Sequence, residues 1–294
     1  MGTTHQGAFD RGEVVVSCGT GTNDLASNTA MLRDLVRRYG WLYRIRPQTL
    51  AEPFYRLVGP YGGRAIVEVS GAKIYVDPFS TSGRIIVDGE EYEPDFVRLI
   101  RARLPVGGCF LDIGANEGIF SAIAAHVAGE NGMVIAVEPQ SRLRDILEIH
   151  IALNSRGTYR IYRNAIGEQD GQKLTLNLGP SSHTGGSSLV RAYRWNRRTE
   201  EVRSRSVDSI LAEHGNRRVD LMKVDVEGFE AEVVDSAEAT LQAKRVEVLA
   251  IDYHGSILAK RGIDPASIDV RIRRHGYRLE SGNPEGGYCV YCAN

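Results

Sequence analysis

From Cys109 onward the chain alternates short apolar strands with helical patterns, and this constrains the fold more than any other feature. Cys109 to Ile113 reads as a buried strand, Ile119 to Ala128 as a helix, Met133 to Val137 as a strand and Leu143 to Leu153 as a helix. Tyr159 to Ala165 is a third strand. Val219 to Val224 and Val246 to Asp252 are strands that alternate with helices over Glu230 to Ala243 and Pro265 to His275, and Tyr288 to Cys292 ends the series. Alternation of this kind predicts an α/β fold: a mostly parallel twisted sheet with helices on both faces.

A chain of 294 residues accommodates such a domain plus an extension. Residues 106–294 are expected to form the main domain. Residues 29–105 are expected to form an N-terminal cap of helix, linker, hairpin and helix. The hairpin is read from 65–69 and 73–76 around Ser70-Gly71, and the last helix from Asp95 to Leu104. Residues 1–28, rich in small and polar types, are expected to be poorly ordered. Gln172 to Ser206 breaks the alternation. Within it, 179–205 reads as a lid-like insertion, with a Ser/Gly run followed by the arginine-rich Arg191 to Arg205.

Composition excludes several classes. The 36 basic residues nearly cancel the 37 acidic ones, so a nucleic-acid partner is not expected. No apolar run approaches the ~18 residues of a membrane span. The start lacks the basic opening and apolar core of a signal peptide, and the four cysteines (Cys18, Cys109, Cys289, Cys292) form no disulfide framework. A cytoplasmic location is therefore expected. Cys289 and Cys292 are spaced as CxxC, but without a second pair or a following helix they read as part of a strand.

The chemistry concentrates at Leu111-Asp112-Ile113-Gly114-Ala115-Asn116-Glu117-Gly118, where the first buried strand turns into a helix. Gly114 lets the backbone approach a ligand, Gly118 lets helix and strand pack closely, and the helix start offers free N–H groups. The next strand ends in Glu138-Pro139, an acid placed to accept from the two hydroxyls of a ribose. No Gly-Lys-Ser/Thr follows, which excludes a P-loop, and the G-x-G-x-x-G spacing of nicotinamide sites is absent. A carboxylate at Asp112, before the first glycine, suits a cationic ligand better than a pyrophosphate. S-adenosylmethionine, with an ammonium, a sulfonium, a ribose and no phosphate, fits that pattern.

Asp112 to Gly118 resembles motif I of class I S-adenosylmethionine-dependent methyltransferases, and its D-I-G-A-N-x-G form resembles the FkbM family. A second block, Asp220 to Glu230, resembles that family's K-x-D-x-E-G-x-E signature. Glu91-Tyr92-Glu93, read as a short helix before motif I, and Asn164-Ala165-Ile166-Gly167 also resemble family segments. The resemblance spans about residues 85–255. It implies a Rossmann-like class I methyltransferase fold and a transferase that methylates a hydroxyl of a small molecule, natural product or sugar. The alternatives are methylation on nitrogen or a non-catalytic cofactor-binding module.

The expected cofactor residues are Asp112, Gly114, Ala115, Asn116, Gly118, Glu138, Pro139, Asn164, Ala165 and Asp225. The expected catalytic residues are His254 and Asp225 as alternative bases, with Glu227 as orienter. A histidine with an ordinary pKa near 6.5 suits proton abstraction at neutral pH. His183, Ser187, Ser188 and Trp195 are the candidate substrate contacts. No metal is required by this reading, although Asp225 and Asp252 at neighbouring strand ends could hold Mg²⁺. His126, His150, His214 and His275 fall in helices or at their ends and read as structural.

Overall fold

The structure is a computed structural model that describes residues 25–39, 41, 45, 64–180, 183–192 and 198–294. Most of the 1–28 segment, most of the linker, Gly40, Ser181, Ser182, Tyr193 and the candidate contact Trp195 lie outside the described residues.

The cap comprises α1 (Leu25–Tyr39), the hairpin β1 (Ala65–Val69) and β2 (Ala72–Val76), α2 (Thr81–Asp88) and α3 (Pro94–Arg103). The expected hairpin and last helix are present. Helix α1 begins four residues earlier than the sequence reading places it, and α2 was not anticipated. Glu91-Tyr92-Glu93 is not a helix. It is a bend in which Glu93 takes the left-handed conformation (φ 45°) immediately before Pro94 starts α3. Proline disfavours the right-handed helical region for the residue before it, which is why the helix cannot begin there.

The main sheet is built from β3 (Cys109–Ile113), β4 (Met133–Val137), β5 (Thr158–Tyr162), β9 (Val219–Val224), β10 (Val246–Tyr253), β11 (Tyr277–Ser281) and β12 (Gly287–Ala293). Its order is β11-β12-β10-β9-β3-β4-β5, parallel except that β12 runs antiparallel to both of its neighbours. Strands β3 and β4 are buried at every position, as central parallel strands covered on both faces must be. Side chains alternate between two cores. Phe110, Val134 and Ala136 face α4 (Ile119–Ala128), α5 (Arg144–Asn154) and the cap; Leu111, Ile113 and Ile135 face α6 (Val207–Glu213), α7 (Glu230–Asp235), α8 (Glu238–Gln242) and α10 (Pro265–Arg274). The helix expected over 230–243 is thus two short helices. A further helix, α9 (Gly255–Lys260), follows β10.

Cap and sheet share one core: Leu32, Val67, Ile74 and Ile100 pack in the same cluster as Phe110 and Ile123. Helix α5 also pins the hairpin with side chains. Asn154 bonds both backbone polar groups of Lys73, and the fully buried His150 accepts from the Tyr75 N–H (2.9 Å) while its Nδ1 lies 2.6 Å from the Glu117 carbonyl. The irregular region holds a small second sheet, β6 (Ala165–Ile166), β8 (Thr199–Arg205) and β7 (Lys173–Asn177), in the order β6-β8-β7. Cys289 and Cys292 lie on β12 with free thiols, as the strand reading expects. Among the described residues no helix is long and apolar enough to cross a membrane.

The order of strands across the sheet reverses between the parallel neighbours β3 and β9: β3, β4 and β5 are laid down outward to one edge, and β9 and β10 then start toward the other. The crevice at the carboxyl ends of these strands is where an open α/β sheet binds its ligand.

Candidate active site

A cavity of about 230 Å³ opens at this switch point. Its wall includes Gly114, Asn116, Glu138, Pro139, Asn164, Ala165, Asp225, Glu227, Asp252 and His254, brought together from the ends of the five strands β3, β4, β5, β9 and β10 and the loops after them. The expected residues His183 and Ser187 line it from the insertion. Val137, Ile166, Leu176 and Leu189 supply an apolar wall, and no lysine or arginine of the described residues lines it.

Glu138 is held almost entirely by backbone. One carboxylate oxygen accepts from the Asn116 N–H (2.8 Å), the other from the Gln140 N–H (2.9 Å). Burial raises its pKa and these backbone donors oppose the rise. Each oxygen keeps a free lone pair, so the group can accept from two neighbouring hydroxyls. Asn116 reaches its position through a left-handed backbone (φ 51°), which asparagine tolerates, and its Oδ1 is buried without a partner.

Four expected contacts are corrected. Asp112 does not face the cavity. Strand alternation turns it toward α4, where it is fully buried, accepts from the Ser121 hydroxyl (2.7 Å) and pairs with Lys223 (3.5 Å). Its work is to anchor the motif I loop. Gly118 is needed for packing, because a Cβ there would stand 2.4 Å from Leu147 Cδ1; it lines only a small neighbouring cleft, together with Ala115. Ser188 is buried: its hydroxyl donates to the Glu227 carbonyl and accepts from the Val190 and Arg191 N–H groups. Gly114 does line the cavity, but its glycine is required by a different neighbour. A Cβ would stand 1.9 Å from the Asp225 carbonyl, so the two strand-end loops can meet only with glycine there.

Ser187 lines the cavity with its hydroxyl already engaged, and Asn164 with its amide nitrogen engaged. The Ser187 hydroxyl bonds Gln140, Thr184 and the Gly179 N–H, and the Asn164 amide donates to the Arg203 carbonyl (3.1 Å). Arg142 grips the Gly179 carbonyl as well. The described part of the insertion is thus a pinned roof, with His183 Nδ1 3.4 Å from Thr81 of the cap.

At the β9 and β10 ends the polar groups hold one another. Lys223, fully buried, lies 3.3 Å from Asp225 and donates to the Gly114 carbonyl. Burial opposes its charge, but Asp225 and Asp112 outweigh burial and raise its pKa. His254 Nδ1 lies 2.8 Å from the fully buried Glu230, and its Nε2 faces Asp225 (3.8 Å) and Glu227 (3.7 Å). Burial works against the charged ring, but the Glu230 hydrogen bond and the carboxylates of Asp225 and Glu227 win and push His254 up to about 9. This corrects the expectation of a base poised near 6.5: as the site stands, His254 carries its proton at neutral pH and serves as counter-ion to the carboxylates. Burial likewise raises Glu227 and Asp252, with like charge from Asp225 adding to the rise.

Sequence reasoning missed Glu93, Tyr92 and Gln140, which also line the cavity. Glu93-Pro94 was the available signal, since the residue before a proline at a helix start is forced out of the helix. It gave no hint of where that residue points. Glu230, read as a helix-end acid, is instead the partner of His254.

The chain matches the family model described as "Methyltransferase FkbM domain" over residues 112–279, more than half its length, and it belongs to that family. The matched domain is thus a methyltransferase domain of the kind that uses S-adenosylmethionine. A relative, the AMB antimetabolite synthetase AmbE of Pseudomonas aeruginosa, is 24% identical over 226 residues, 64% of this chain. The chain spans only about 10% of that protein's length. Among solved structures, a putative rRNA methylase from Clostridium thermocellum has 8% identity and a TM-score of 0.42, covering 68% of this chain and 93% of its own. An O-methyltransferase from Bacillus cereus has 15% identity and a TM-score of 0.40, covering 69% and 83%.

The cavity suits the cofactor on its own terms. An apolar wall would suit a neutral ring, the Glu138 carboxylate would suit ribose hydroxyls, and the lining has carboxylates for cationic groups and, among the described residues, no lysine or arginine for a phosphate.

Proposed function

We propose that the chain methylates a hydroxyl oxygen of a small molecule, natural product or sugar. The observation that carries this reading is the cluster of Asp225, Glu227, Asp252 and His254 in the wall of the same cavity that Glu138 lines. Glu138 would hold the ribose, and the loops at Gly114–Asn116 and Asp225 would flank the amino-acid portion. The cofactor supplies an activated methyl group. The protein must align the acceptor and take its proton, because an alcohol is a poor nucleophile until that proton is leaving.

Carboxylates replace His254 in the role of base. Glu227 and Asp252 have raised pKa values, which makes each a better proton acceptor than an ordinary carboxylate. His254, oriented by Glu230, holds the cluster's charge. His183 and Ser187 on the roof border the space left for the acceptor. The antimetabolite assembly named for the relative from Pseudomonas aeruginosa accords with a natural-product acceptor.

The test is transfer from ¹³C-methyl-labelled cofactor to a panel of hydroxylated small molecules and glycans, with the product read by carbon NMR. A methyl ether or ester supports the reading. A methylamine moves the activity to nitrogen, and cofactor binding without transfer to any acceptor makes the chain a binding module.

A further inference from the structure

We propose that Arg64, from the cap, is a positioning residue for the cofactor: through Glu117 it holds the motif I loop in the shape that receives S-adenosylmethionine. The inference deepens the cofactor half of the proposed function and rests on the reading of Glu138 as the ribose acceptor.

Glu117 occupies the variable position of D-I-G-A-N-x-G. The residues on either side, Asn116 and Gly118, both have left-handed backbones (φ 51° and 89°). The Asn116 N–H is one of the two donors that hold Glu138. The Glu117 side chain is nearly all buried and meets the Arg64 guanidinium with both oxygens, Oε1 at 3.2 Å from Nη2 and Oε2 at 3.4 Å from Nη1. Among the described residues no other cation pairs with Glu117. Arg64 stands just before β1. Its Nη1 also donates to the Tyr75 carbonyl on β2 (3.2 Å), and its Nη2 lies 3.8 Å from Asp77. Asp77 in turn accepts the Phe79 N–H (2.9 Å) at its carboxylate and the Ser80 N–H (3.1 Å) at its carbonyl, just ahead of α2. One guanidinium thus joins both strands of the hairpin, the approach to α2 and the loop. The cap meets the loop a second time, where Ser82 and Tyr92 line the small cleft shared with Asn116, Glu117 and Gly118.

A carboxylate buried this deeply needs its partner, because an unpaired buried charge costs far more than a surface one. A planar guanidinium can bond both oxygens at once, which fixes direction as well as charge. Burial opposes the charge on Arg64, but Glu117 and Asp77 outweigh it and raise its pKa. Without Arg64, Glu117 must turn toward water or take up a proton. Either change releases the side-chain hold on the loop and leaves only the main-chain one, His150 on the Glu117 carbonyl. Asn116 then shifts, and the donor on Glu138 shifts with it.

The experiment is calorimetric titration of the full chain with S-adenosylhomocysteine, with circular dichroism to establish that each variant is folded. Arg64→Gln should weaken binding by at least about fivefold, the lower end of ordinary coupling between sites. Its kcat at saturating cofactor should stay near wild type. Arg64→Lys, which keeps the charge and loses the fork, should recover part of the loss. Arg64→Gln combined with Glu117→Gln should bind no more weakly than Arg64→Gln alone, since both substitutions remove one interaction. Asn154→Ala loosens the same hairpin without touching Glu117 and should leave affinity near wild type. An equal loss in Asn154→Ala, or losses that multiply in the double variant, would assign the effect to the stability of the cap and overturn the role of Arg64. Hydrogen exchange of the wild type gives the reverse measurement and needs no variant. Coupling is reciprocal, so S-adenosylhomocysteine should slow exchange over residues 64–77 more than over β11 and β12; equal slowing overturns the proposal. Full affinity in folded Arg64→Gln, with Glu138→Ala weakened, overturns it alone. Full affinity in both variants removes the ribose reading as well.

Discussion

The two halves of the cavity are built on different principles. At the β3 and β4 ends, acid groups are held by backbone and by buried neighbours. Glu138 has a main-chain N–H on each oxygen, and Asp112 is sealed between Ser121 and Lys223. At the β9 and β10 ends, Asp225, Glu227, Asp252 and His254 are half-buried and are placed largely by one another's charges. The first arrangement is preformed and suits a ligand that never changes. The second can redistribute its protons and pairings, as a site that removes a proton must.

The largest expected effect is at the second half. Glu227→Gln should lower kcat/KM by about 10²–10⁴-fold, the range attributable to positioned acid–base groups. Cofactor affinity, measured by calorimetry, should change much less. If both fall together, Glu227 belongs to the cofactor half and the division fails. Glu138→Ala is the converse. Losing two hydrogen bonds to a charged acceptor costs about 1.5–3 kcal/mol apiece. Cofactor affinity should therefore drop at least a hundredfold, while kcat at saturating cofactor stays near wild type. A kcat loss without an affinity loss would place Glu138 in the chemistry.

The same contrast explains how much the sequence disclosed. Strands β3, β4 and β9 were legible to the residue because a central strand covered on both faces reads as a near-continuous apolar run, interrupted here only by Asp112 in β3 and by Asp220 and Lys223 in β9. Strand β11, Tyr-Arg-Leu-Glu-Ser, was not legible: it is an edge strand with a single buried residue and carries no apolar pattern. Strand β8, although the middle strand of the small sheet, hid in charged residues because only Val202 and Ser204 of its seven residues are buried. Glu138 was readable because the motif fixes its backbone, and the backbone fixes its carboxylate. The Glu230–His254 pair, 24 residues apart, exists only through the packing of α7 against the end of β10, and no local spacing encodes that. Asp112 was found but misassigned, because the motif marks the residue while strand alternation decides which way it faces.

A smaller effect tests whether the first half is as rigid as described. Gly118 has φ 89°, and a Cβ there meets Leu147. Gly118→Ala should lower stability by about 1–3 kcal/mol through overpacking and backbone strain, read from a urea transition. Cofactor affinity should fall in the folded variant, because α4 would shift and carry the Asn116 loop with it. Unchanged affinity would show that the loop does not depend on that packing.

The smallest effect concerns the cap's attachment to the preformed half. His150 bridges the Tyr75 N–H and the Glu117 carbonyl, tying the hairpin to the motif I loop. Burial pushes its pKa below the ordinary 6.5, against the opposing pull of Glu117, so the folded ring stays neutral. The unfolded chain then binds a proton below pH 6.5 that the folded chain refuses. Stability contributed by this residue is therefore present above pH 6.5 and is lost as pH falls, by up to about 1.4 kcal/mol per pH unit. His150→Asn should be less stable at pH 7.5 yet flatter between pH 7 and 5.5, with the gap to wild type narrowing by about 1 kcal/mol or more. Subtracting the two profiles cancels every other titrating group. Parallel profiles would mean that the ring is protonated in the fold, and that the cap is held by something other than a neutral histidine.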